Sequence, residues 1–238
     1  MSARESLLDT FPGRLFIQDM RRFGGLAVPK TLIRAATWAV SGYLYSDRYL
    51  EVAYLDVDDA ELRSYDAAGL RALTGLNTFG SPQIHQGTID ELRAPRIGNR
   101  KPLSALPAGA FWTSTPITED EDTWTLCGEN LRREMPCWEV HFDLARARVA
   151  QIDSVRDWAD LIDANTATAD GRKYPDWPAI AESWDAVHLS AAGLLLAYPK
   201  ISTTRFGSYV GVGDWSTVST AWLREPPGVE IRPAPVAG

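Results

Sequence analysis

The chain has 238 residues, 45% of them hydrophobic, with 31 acidic and 24 basic side chains and a net charge of −7. That is too apolar for a disordered chain, and too acidic for passive binding to nucleic acid or an anionic membrane, both of which need a positive surface. Two cysteines, Cys127 and Cys137, with no histidine cluster at ligand spacing, argue against a disulfide framework and a zinc site; two semi-buried thiols are expected.

The amino-terminal stretch MSARESLLDTF carries acids where a signal peptide has a basic start and a long apolar run, so a cytoplasmic location is expected. Pro29 can open a helix, and residues 30–45 are apolar enough for a buried one. Asp58 and Asp59 precede residues 60–73, where Leu62, Tyr65, Gly69, Leu70 and Leu73 fall near helical spacing; an acid there caps the run, and Gly75 can stop it. The run NTFGSP at 77–82 is loop chemistry and marks a soft boundary, so residues 1–80 read as a helical region or extension.

Residues 81–225 read as a second, α+β unit. Short β-prone runs occur at 83–89, 110–115, 138–144, 149–152, 186–189, 208–212 and 218–223. EVHFDLARARVAQID nearly alternates around a short polar connection, as a hairpin does. Ser154 can cap a short helix over 155–162, and Pro178 is allowed in the first turn of another at 176–183. The apolar stretch 189–198 is far short of the about 18 residues of a membrane span. Strict alternation of strand and helix is absent, which disfavours a doubly wound sheet. The expected fold is two small, mostly antiparallel sheets forming a cleft. The proline-rich tail, 226–238, reads as an extended arm or frayed end.

Phosphate-binding GxxxxGK[ST], dinucleotide-binding GxGxxG, HExxH and GxSxG are all missing. In IHQGT, His85 can present its ring to a ligand while Gly87, followed by Thr88, lets a backbone approach closely; the ordinary alternative is a histidine beside a turn. FWTST, residues 111–115, places Thr113 and Thr115 on one strand face and Ser114 on the other. Such hydroxyls can bond a ribose or fix a carboxylate, or simply reflect β-propensity. RAPRIGNRK crowds Arg93, Arg96, Arg100 and Lys101 into one loop, and arginine matches two phosphate oxygens at once. Among nine tryptophans, Trp112, Trp124, Trp138, Trp215 and Trp222 offer faces for a flat ring, or serve as core. The last β-prone run, GDWSTVSTAWLR, offers Asp214, Ser216 and Ser219. His188, in WDAVHLS, reads as a satisfied core histidine.

The order of IHQGT, FWTST and GDWSTVSTAWL over residues 83–224 resembles the mono-ADP-ribosyltransferase fold. In that family an early strand carries an Arg or His that positions NAD, a middle strand an aromatic-Ser-Thr-Ser motif, and a late strand or loop a catalytic glutamate. The resemblance implies an NAD-using transferase, of the kind found among bacterial toxins, that modifies a protein or nucleic-acid acceptor. His85, Ser114 and Asp214 would be catalytic, and Gly87, Thr88, Arg96, Arg100, Trp112, Thr113 and Thr115 would hold NAD. Trp112 or Trp124 would pack on the nicotinamide, and an acid near the ribose would stabilise an oxocarbenium-like transition state. The sequence departs from the pattern where it matters, since no glutamate lies in residues 183–224 and Asp214 is the acid nearest the last strand. Glu129 and Glu139 lie on other elements. Two further readings stand beside this one: a non-catalytic interaction protein using its aromatics and first 80 residues as a partner surface, and a Ser/His/Asp enzyme drawing on His85, His141 or His188.

Overall fold

The computed structural model describes residues 5–23, 28–76, 78–89, 94–118, 121–126, 135–198, 209–213 and 215–234. The first part is helical, as its sequence predicts. Helix α1 (Phe11–Arg22), which the sequence reading did not anticipate, is capped by the Thr10 hydroxyl accepting from Gly13 N, with Pro12 in its first turn. Helix α2 (Pro29–Tyr45) opens on Pro29 as expected, and α3 (Tyr49–Val52) follows. Helix α4 (Ala60–Thr74) starts where the Asp59 carboxylate accepts from Glu61 N and Leu62 N, at 2.7 and 3.2 Å, satisfying amides that the first turn leaves without partners. Asp66 of α4 ties down the amino-terminal segment by accepting from Leu7 N and Ser6 Oγ.

The remaining elements are β1 (Gln83–Gln86), β2 (Gly98–Asn99), β3 (Pro107–Ala108), β4 (Phe111–Ser114), α5 (Thr123–Leu126), β5 (Cys137–His141), β6 (Val149–Ile152), α6 (Val155–Ala164), β7 (Thr166–Ala169), β8 (Arg172–Pro175), α7 (Trp177–Ser183), β9 (Ala186–Leu189), α8 (Ala191–Leu196), β10 (Ser219–Trp222) and β11 (Glu230–Pro233). The α+β class holds, but the arrangement differs from two small sheets around a cleft. Seven strands form one sheet in the order β11-β5-β1-β4-β10-β9-β6, and β2-β3 and β7-β8 make separate two-stranded ribbons. Within the large sheet, β6 and β9 are parallel and the other pairs antiparallel.

Other differences follow from the same topology. EVHFDLARARVAQID is no hairpin: β5 sits next to one edge of the sheet and β6 forms the other edge. Its alternation is real, but each half alternates against a different neighbour. The carboxyl-terminal region, expected as an extended arm or frayed end, is extended and contributes strand β11, hydrogen-bonded to β5 along Glu230–Pro233. An edge is where a strand containing Pro233 can be accommodated. No strand forms over 209–212; Tyr209 makes a single bridge to Lys173, and residue 208 lies outside the described residues. Cys137 begins β5 exposed, not semi-buried, and Cys127 lies outside the described residues.

Side-chain alternation sorts the sheet into two faces. Trp112, Ala150, Ile152, Val187, Leu189 and Ala221 point into one large core, which takes in buried side chains from all eight helices of the described residues. The alternate residues Phe111, Val149, Ala186 and Trp222 point the other way, into a smaller cluster with Phe79, Phe142 and Ala147 that contains no helical residue. The amino-terminal helices therefore share the main core with the sheet. Thr10 Oγ1 donates to Leu195 O of α8, and Gly193 of α8 lies so close to β6 that a Cβ there would fall 1.9 Å from Ile152 O. No helix of the described residues is long and apolar enough to cross a membrane.

Candidate functional site

The three motif strands, remote in sequence, are neighbours. β1 carries IHQ, β4 carries FWTS, β10 carries STAW, and they stand side by side in that order. Ile84 faces Ser114 across β1 and β4, and Ser114 faces Ser219 across β4 and β10.

Adjacency does not bring the predicted catalytic groups together. Because Ile84 pairs with Ser114, their side chains share the helix-covered face, and His85 points to the other. Ser114 is fully buried, and its hydroxyl donates to Ile84 O at 3.3 Å. On the opposite face, Thr113 donates to Gln83 Oε1 and accepts from Trp222 Nε1 at 3.1 Å. Thr115 donates to Thr78 O at 2.6 Å. The hydroxyls of the FWTST run thus bind the protein's own groups. The expectation that His85 and Ser114 line one crevice is corrected by the pleat: neighbouring strands share a register, but consecutive residues do not share a face.

The other sequence candidates are spread out. Asp214, Arg93 and Glu129 lie outside the described residues. Arg96, Arg100 and Lys101 are exposed on and beside the β2-β3 ribbon, which is separate from the large sheet. Thr88 is exposed and Gly87 buried. Trp112 sits on the core side, its ring edge-on to Trp215 at 5.0 Å; Trp215 Nε1 donates to Ser219 Oγ at 2.8 Å. Glu139 engages His141 Nε2 at 2.8 Å on β5. Among the described residues no three His, Cys, Asp or Glu side chains cluster to hold a metal ion.

Where β1 ends, the face without helices carries an aromatic row. His85 lies directly across from Trp138 of β5, and its ring packs on Phe111 of β4 with centroids 4.6 Å apart and planes inclined by 31°. All three side chains are half-buried. His85 Nδ1 is 2.8 Å from the Trp112 carbonyl oxygen, which can only accept, so Nδ1 carries a proton and donates, and the ring's orientation is fixed. Gly87 has φ +144°, a backbone shape side chains rarely adopt, and a Cβ there would press within 3.1 Å of His85 Nε2. Trp138 Nε1 donates to Gly87 O at 2.8 Å, holding the turn against the row. Phe111 and Trp138 reach the face of His85 through the strand register, which no sequence signal carries.

Deeper on that face lies a buried polar chain that motif reading missed. His188 stands between Thr78 and Thr220, its Nε2 2.8 Å from one hydroxyl and its Nδ1 2.9 Å from the other. Gln83 Nε2 donates to Thr220 Oγ1 at 2.9 Å and continues the chain to Thr113. Burial pushes the His188 pKa down to about 3, so the ring is neutral. On the core face, buried Asp122 caps α5 and accepts from Gln86 Nε2 at 3.0 Å.

No family model, curated protein or solved structure matches this chain.

Proposed function

We propose that this chain is a non-catalytic binding protein. The observation that carries the reading is the fate of the FWTST hydroxyls. Ser114 is buried, faces away from His85 and donates to a backbone carbonyl. A hydroxyl that positions a nucleophile or orients a carboxylate must bond that group, and this one donates to the Ile84 carbonyl. β10 itself contributes Ser219, Thr220, Ala221 and Trp222, none of them able to stabilise a developing cation as a carboxylate does. What remains for recognition is the row of His85, Phe111 and Trp138, rigid and half-buried, suited to stacking a planar ring.

The transferase reading keeps one argument, the contiguity of the three motif strands. One experiment separates the two: incubate the full chain with NAD at stoichiometric protein, follow nicotinamide release, and follow tryptophan fluorescence in the same titration. The binding reading expects release no faster than in buffer, with any fluorescence change abolished in Phe111→Ala and retained in Ser114→Ala. Release that depends on Ser114 or Asp214 overturns it in favour of the transferase.

A further inference from the structure

We infer that the turn and short helix after α2 form a docking surface for a basic, partly apolar segment of a partner protein; the inference rests on the binding-protein reading and names the class of partner. Within ten consecutive residues, Tyr45, Leu50 and Tyr54 are 69%, 55% and 95% exposed. Large apolar side chains scattered singly on a surface are ordinary; three on one short segment are not.

The segment is held rigidly, so their exposure is not fraying. Val52 is fully buried, Tyr49 packs edge-on to Phe11 at 5.8 Å, and Arg14 donates to the carbonyls of Val52 and Ala53 at 3.2 and 3.3 Å. Inward positions do the packing while Tyr45, Leu50 and Tyr54 are presented outward on a fixed backbone. A preorganised aromatic surface loses little side-chain and loop freedom on binding.

Charge selects the partner. Residues 45–61 hold six carboxylates and one guanidinium, a net −5 in a chain of −7. Arg48 is turned inward to Asp19 at 2.8 Å, and just outside the stretch Arg63 pairs with Asp58 and Arg21 with Glu61, so the segment together with these two cations stays acidic at net −3. Asp47, Glu51, Asp56 and Asp58 are exposed among the apolar groups. This field repels nucleic acid and anionic membranes and attracts lysine and arginine, whose stems pack on apolar surface and whose charges are favourable over tyrosine faces.

The test uses the full chain and a fluorescently labelled amphipathic peptide carrying lysine and leucine at helical spacing, with a glutamate-for-lysine counterpart. The lysine peptide should bind, and binding should weaken with added salt. The triple variant Tyr45→Ser, Leu50→Ser, Tyr54→Ser should bind about tenfold or more weakly, while its urea midpoint stays at the wild-type value because the replaced side chains are exposed. Leu144→Ser, which replaces an exposed apolar side chain outside this segment, should bind the lysine peptide as wild type does. Equal affinity for both peptides, or undiminished binding by the folded triple variant, overturns the surface while leaving the binding-protein reading intact. A wild-type dimer that the triple variant breaks would make the face a self-interface and overturn the partner class. Nicotinamide release, by contrast, overturns the underlying reading and leaves this assay untouched.

Discussion

Nε2 of His188 lies 2.8 Å from Oγ1 of Thr78, a contact between residues 110 positions apart that closes the buried polar chain on the sheet face without helices. Both residues are buried, so neither partner can turn to water if the other is lost. The network must be satisfied internally, which makes it sensitive to pH and to mutation.

The pH dependence has a definite sign. Folded His188 takes a proton only near pH 3, whereas its unfolded value is 6.5. Between those values the unfolded chain binds more protons, so stability rises with pH across the window and is lost as pH falls through it. Asp185 behaves separately: burial raises its pKa, hydrogen bonds from Arg148 lower it more, and the contribution is lost only below its ordinary 3.8. Urea unfolding at stepped pH should show stability declining from about 6.5 downward. The decline above pH 5 should flatten in His188→Gln, whatever that variant's absolute stability.

Thr113→Val should cost about 1–3 kcal/mol, because it leaves the Trp222 indole N–H and Gln83 Oε1 without that hydroxyl in a dry setting. Urea denaturation measures it. A double-mutant cycle with Gln83→Leu should be non-additive, since the two residues share one bond.

Gly193→Ala should destabilise by more than about 2 kcal/mol, since the new methyl would overlap Ile152 O and force α8 off β6. Gly80→Ala is the control: nothing lies within 4 Å of a Cβ there, and a change within about 0.5 kcal/mol is expected. Thermal melts of the pair read the difference.

Ser154→Ala should cost about 1 kcal/mol by removing the cap of α6, where the hydroxyl accepts from Asp157 N at 3.1 Å. The loss should appear in urea unfolding without any change in peptide or NAD titrations.

Local chemistry was legible in the chain. Pro29, Asp59 and Ser154 mark the starts of α2, α4 and α6 because a cap or a fixed φ acts within one turn of backbone. The strands β6 and β9 appear at their predicted bounds, and His188 is the satisfied core histidine its apolar setting implied. By itself the sequence also determined the alternation that sends Thr113 and Ser114 to opposite faces. Only the tertiary structure decided which strand lies beside which: that β5 and β6 part to opposite sides of the sheet, that the proline-bearing tail pairs with β5, and that His85 meets Phe111 and Trp138 while Ser114 turns into the helical core. Pairing in the middle of the sheet depends on burying one face of β4, β10, β9 and β6 at once in the core that the helices of the described residues share. That collective condition is written in no single motif, so side chains ten residues or a hundred apart become neighbours only when the whole core closes.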